Sequence, residues 1–163
     1  MLWLRRIKFM IVKTKKFNNR YISKVIREAT KFYINSIIPE DKQKKLTVVV
    51  NLTTNDFADG SCCYLKRNTY EIELGSHISL THKLLTLAHE CIHVKQYVTK
   101  QLKTLYIGNN AVDIWQGKRY RNINYDDQPW EKEALDQEEE LFYNFISDCY
   151  AHGRLDLEKL KSL

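Results

Sequence analysis

LTHKLLTLAHECIHVKQYV, residues 80–98, is the segment around which the rest of the chain arranges itself. With Ser79 as a cap, its periodicity predicts a helix from Leu80 to about Leu102. The middle of that helix is apolar on most sides (Leu84, Leu85, Leu87, Ala88, Ile92, Val94, Val98), and a helix apolar all round is a central, buried one. Inside it lies His89-Glu90-Cys91-Ile92-His93, an HExxH. Residues four apart share a helix face and sit about 6 Å apart along the axis, so both imidazoles can reach one ion. Glu90 is turned by about 100° from His89, which directs it to a water beside the metal rather than to the metal. Zinc would bring that water's pKa toward 7, and Glu90 would take its proton as it attacks a carbonyl. With five His and eleven Glu in 163 residues, chance yields the pattern about once in a hundred such chains. Burying two imidazoles and a carboxylate without partners costs several kcal/mol, and a metal satisfies all three together.

A zinc site of this kind keeps three protein ligands and one open position. The last long helix predicted in the chain offers Glu131 and Glu133, in Pro129-Trp130-Glu131-Lys132-Glu133-Ala134. At 100° per residue Glu131 shares a face with Ala134, Leu135, Phe142, Phe145 and Cys149, the apolar stripe that points inward. Glu133 falls opposite, beside Gln137 and Glu140. The carboxylate in line with the core stripe is the one that reaches a buried metal, so Glu131 is the predicted third ligand. Glu138 also lies on the inward face, either accepting a hydrogen bond that orients a ligand histidine or extending to solvent.

The remaining segments alternate between strand and helix signals. Residues 3–16 read as a strand, and Asn18 or Asn19 can cap a helix running to about Ile38, before Pro39. LTVVVNL (46–52) is β-branched and reads as a buried strand. SCCYLK (61–66) and TYEIEL (69–74) flank Arg67-Asn68, a hairpin turn. Residues 104–125 hold short strand-like pieces punctuated by Gly108 and Gly117. Pro129 suits the first turn of a helix that runs to about Tyr150. The order β-α-β-β-β-α-loop-α is an α+β arrangement: a small mixed sheet packed on the central helix, in one domain spanning residues 1–163.

Composition narrows the setting. No apolar run approaches the roughly 20 residues that cross a bilayer, and the apolar N-terminus is interrupted by Arg5, Arg6 and Lys8, unlike a signal peptide. Four cysteines without a CxxC suggest reduced thiols in a cytoplasm. The net charge of +6 is unevenly spread: residues 1–45 carry 13 Lys/Arg against 3 acids, while residues 126–163 carry 4 against 11. A front half this basic leaves room for weak nucleic-acid contact. The alternative reading of the chain is therefore a non-catalytic, zinc-containing regulatory or nucleic-acid-binding module.

HExxH followed 38 residues after its second histidine by Glu-x-x-Ala, at the start of another helix, resembles a gluzincin-type zinc metallopeptidase. HECIHVKQY, then Trp115-x-Gly117, then PWEKEA, is similar to the short SprT-like or minigluzincin-like metallopeptidases of phages and bacteria, over about residues 70–145. The resemblance implies a zincin-like fold, one zinc ion on His89, His93 and Glu131, Glu90 as general base, and a protein or peptide substrate. It further implies that the strand near Tyr70–Leu74 borders the cleft and takes up an extended peptide by β-augmentation. Two departures stand out. SprT-like proteases proper use a third histidine, and many gluzincins place Asp or Asn at the position of Leu135.

Other residues are weaker candidates. His82 precedes His89 by about 10 Å along the axis, too far to share the ion. His77 is unplaced, and His152 could approach the cleft as an electrophilic helper. Tyr120 and Tyr125 are alternative oxyanion donors. Cys91 points into the core. Trp115, Tyr120 and Tyr125 read as the apolar underside of the cleft rather than as base-stacking residues.

Overall fold

The computed structural model describes residues 10–55, 57–154 and 156; the first seven residues of the strand predicted over 3–16 lie outside them. What remains of that strand, β1 (Ile11–Lys15), leads into α1 (Arg20–Ile37). Asn19 is the cap of α1, its side chain accepting from the amides of Tyr21 and Ile22 at 2.9 and 3.2 Å. Pro39 ends α1 and introduces a single further turn, α2 (Glu40–Gln43), which periodicity is too short-sighted to detect. The β-branched run then forms β2 (Thr47–Thr53), followed by β3 (Gly60–Lys66) and β4 (Thr69–Gly75). Asn68 turns the β3–β4 hairpin at φ 56°, a left-handed conformation that asparagine tolerates.

These four strands make a mixed sheet ordered β1-β2-β4-β3, with β1, β2 and β4 parallel and β3 antiparallel to β4. Because side chains alternate across a strand, the register places Val48 and Val50 beside Tyr70 and Ile72 on one face. All four are buried there against the helices. Behind that face lie α1 and the central helix α3 (Leu80–Val98), with α4 (Pro129–His152) packed along α3. Tyr33 ties the layers together: its hydroxyl donates to the Leu84 carbonyl of α3 at 3.2 Å, and its ring meets Phe145 of α4 edge-on at 5.5 Å. No helix among the described residues is long and apolar enough to cross a membrane. The fold is mixed α+β, as the order of elements indicated.

Two boundaries differ from the sequence reading. The central helix stops at Val98 rather than Leu102, because Lys100 takes a left-handed turn at φ 64°. Leu102 keeps the helical spacing but starts a strand. The strand-like pieces of residues 104–125, counted only as a loop in the order of elements, pair into a second sheet, the meander β5 (Leu102–Ile107), β6 (Asn110–Trp115) and β7 (Lys118–Tyr120). Gly108 and Gly117 turn it at φ 61° and 87°. Leu102, Trp115 and Trp130 give it a small core of its own. A 3-10 turn at Tyr125–Asp127 then delivers the chain to α4.

Candidate metal centre

Helix α3 presents His89 and His93 on one face, one turn apart, and α4 brings Glu131 to meet them in its first turn. The Nε2 atoms of the two histidines lie 3.1 Å apart. Glu131 places Oε2 3.1 Å from His89 Nε2 and Oε1 3.4 Å from His93 Nε2. All three residues are buried, and their ligand atoms lie within 4.8 Å of one another, close enough to hold a metal ion. A tetrahedral ion with bonds of about 2.0–2.1 Å needs its ligand atoms about 3.3–3.4 Å apart, which this spacing matches.

The neighbours of the imidazoles decide where their protons sit. His89 Nδ1 donates to Glu138 Oε2 at 2.7 Å. His93 Nδ1 faces Gln96 Oε1 at 2.9 Å. The Gln96 amide cannot be turned round, because its Nε2 already donates to the Trp130 carbonyl at 2.9 Å and to Glu133 Oε2 at 2.8 Å. Both Nδ1 atoms therefore carry hydrogen, and both Nε2 atoms turn lone pairs toward the Glu131 carboxylate. Three lone-pair donors aimed at one space repel unless a cation or a proton lies between them, so the donor set fits a metal.

Without a metal a proton takes that role. Burial disfavours the His89 imidazolium, but hydrogen bonds to Glu131 and Glu138 and the charge of Glu90 prevail and raise its pKa to about 9. His93 moves the same way. Glu131 is opposed by burial yet held well below the usual carboxylate range by the two imidazoles. Glu90, buried beside them, is driven up to about 7 by desolvation, which the imidazole charges only partly offset. Its carboxylate lines the cleft together with Gly60, where a Cβ atom would stand 3.0 Å from Glu90 Oε1 and 2.4 Å from Thr86 Cγ2.

Several predicted roles are redistributed. Glu133 does not face solvent: it receives Lys95 at 3.0 Å and the Gln96 amide, clamping the end of α3 to α4. Leu135, assigned to the inward stripe, is 49% exposed and lines the cleft instead. The strand Tyr70–Leu74 does not border the cleft, because β4 is paired on both sides; β3 takes the edge, with Gly60, Ser61 and Cys62 beside His89, His93 and Glu131. Tyr125 faces the cleft, and its hydroxyl donates to Glu131. Tyr120 instead packs edge-on against Trp130 at 5.7 Å, with Trp115 at 6.5 Å. His82 and His77 both reach Asp59, at 3.2 and 3.3 Å. His152 bonds its own helix at Asp148, about 30 Å along the axis from Glu131, which removes it from the cleft. Cys91 is fully buried. Gln96 was missed altogether, though its place three residues after His93 puts it on the same face.

Compared with protein-family models, with curated proteins and with solved structures, the chain matches none of them.

Proposed function

We propose that the protein is a zinc-dependent metallopeptidase of zincin-like architecture, similar to the gluzincins, with His89, His93 and Glu131 as zinc ligands and Glu90 as general base. The convergence of three lone-pair donors beside a raised-pKa carboxylate, at the floor of an open cleft, carries this reading. Two imidazoles, one carboxylate and tetrahedral spacing favour zinc over the harder cations, which prefer all-oxygen sites. A zinc ion held there would act as a Lewis acid, polarising a scissile carbonyl and making a water molecule acidic near neutral pH. Glu90, buried in the cleft beside His89 and His93, is the carboxylate that would accept a proton from that water and pass it to the leaving amine. The Tyr125 hydroxyl, beside Glu131 at the cleft, is placed to donate to a developing oxyanion. The free edge of β3 offers backbone groups to an extended peptide, which fixes the substrate across the site.

Two measurements test the reading. Glu90→Gln abolishes peptide hydrolysis while zinc content and fold persist; cleavage at the wild-type rate removes Glu90 from the mechanism. Glu131→Ala loses the bound zinc, whereas Glu133→Ala keeps most of it, since Glu133 bonds Lys95 and Gln96 rather than either histidine.

A further inference from the structure

We infer that the groove selects cationic polypeptide segments, in which a Lys or Arg stands next to an apolar residue. The inference rests on the hydrolase reading and narrows its substrate.

The recess beside β3 that holds Glu131 continues past His89, Glu90 and Tyr125 into a second recess of about 360 Å³, which includes Asp59, Leu85, Leu135 and Glu138. That one shares His82 and Leu85 with a third recess in the crevice between α3 and α4, where Glu139, Phe142 and Tyr143 stand. Through those shared residues the three recesses adjoin one another, and together they form a channel leading away from His89, His93 and Glu131. The chain carries 26 Lys and Arg and a net charge of +6, yet among the described residues no Lys or Arg lines any of the three recesses. Asp59, Glu90, Glu131, Glu138 and Glu139 do. Even with Glu90 counted as neutral, a divalent ion offsets only two of the other four charges, and the channel stays negative inside a positive protein. Like charges gathered in a cleft focus the field on whatever enters it.

The floor matches the same occupant. Leu135 and Tyr143 are 49% and 62% exposed and, with Leu85 and Phe142, give an apolar strip along the channel. A lysine or arginine lays its aliphatic stem on such a strip and carries its charge to the rim. Glu139 waits there, exposed and with no ion-pair partner among the described residues. An acidic segment would meet the same strip under repulsion.

Binding and cleavage separate the two levels. Zinc-loaded Glu90→Gln protein is titrated, by fluorescence anisotropy, with two labelled peptides that share one apolar core, flanked in one by Lys/Arg and in the other by Asp/Glu. The cationic peptide binds at least tenfold tighter at low salt, the preference shrinks as salt is raised, and Glu139→Lys in the same background reduces it with zinc content unchanged. Equal affinities, or a preference indifferent to both salt and Glu139→Lys, overturn the inference. Wild-type protein is then given both peptides: cleavage of both at equal rates also overturns the cationic preference but leaves the hydrolase standing, whereas cleavage of neither overturns both.

Discussion

At the residue scale the candidate site depends on side chains outside the His89, His93 and Glu131 group. Leu135 stands four residues beyond Glu131, and it is Glu138, nearly one further turn along α4, that reaches His89. His93 relies on the neutral amide of Gln96. Such partners set the tautomer and typically influence metal affinity by 10–100-fold. Glu138→Gln and Gln96→Leu are each expected to weaken zinc binding within that range, read by competition against a chelator; unchanged affinity in both would mean the Nδ1 partners are dispensable. The two were unequally legible. Glu138 could be placed on the inward face by counting 100° steps, but its reach depends on a rotamer. Gln96 carries no charge to attract notice, and its role appears only once Trp130 and Glu133 have taken its amide hydrogens. Gly60 belongs at this scale too. Gly60→Ala would drive a methyl to 2.4 Å from Thr86 Cγ2, an overpacking that costs about 1–3 kcal/mol. Thr86→Ser deletes that methyl and should recover part of the loss in chemical denaturation of the double variant.

At the element scale, local signals worked where they were chemical and failed where a chain reversal decided the outcome. Asparagine capping, Pro39 as a stop, Pro129 in a first turn and the Arg67-Asn68 hairpin all stand as read. The helix of the first βαβ crossover gives a direct check, because Asn18 and Asn19 were equivalent candidates in sequence. Only Asn19 accepts from the first-turn amides, so Asn19→Ala should cost about 1 kcal/mol, lowering Tm by about 2–4 °C in a chain of this size. Asn18→Ala should leave Tm in place, and the reverse pattern would reassign the cap. The central helix was overrun by four residues because Leu102 falls in phase with Val98. Phase cannot register the left-handed turn at Lys100 that sends Leu102 into the second sheet. The exchange of β4 for β3 at the cleft has a related cause. Both segments read as strands, but β2 pairs in parallel with β4 across the sheet, a long-range choice that leaves β3 outermost.

At the scale of the whole molecule, a metal held by His89, His93 and Glu131 would change how stability responds to pH. In the metal-free protein His89 has its pKa raised from 6.5 to about 9. The stability this supplies is fully present below pH 6.5 and is lost as pH rises through 9. Glu90, raised from 4.5 to about 7, acts in the same sense: the fold favours its neutral form, and that contribution disappears as pH climbs through 7. Glu131 opposes them only in acid, since its depressed pKa gives stability that is present above 4.5 and fades as pH falls below it. Together these three groups stabilise the metal-free fold most near pH 4.5; their contribution declines as pH rises, first through Glu90 and then, above pH 6.5, through His89. Metal binding needs both imidazoles unprotonated at Nε2, so it must displace the His89 proton and tightens as pH rises. A ligand at a thousand times its dissociation constant adds about 4 kcal/mol, which places the largest gain where the metal-free protein is weakest. Scanning calorimetry from pH 5.5 to 8.5, with chelator and with zinc, should show the gap between the two melting temperatures widening steadily. A metal-free melting temperature that rises between pH 6.5 and 8.5, or a gap that narrows, would mean that these imidazoles and this carboxylate do not share one cation.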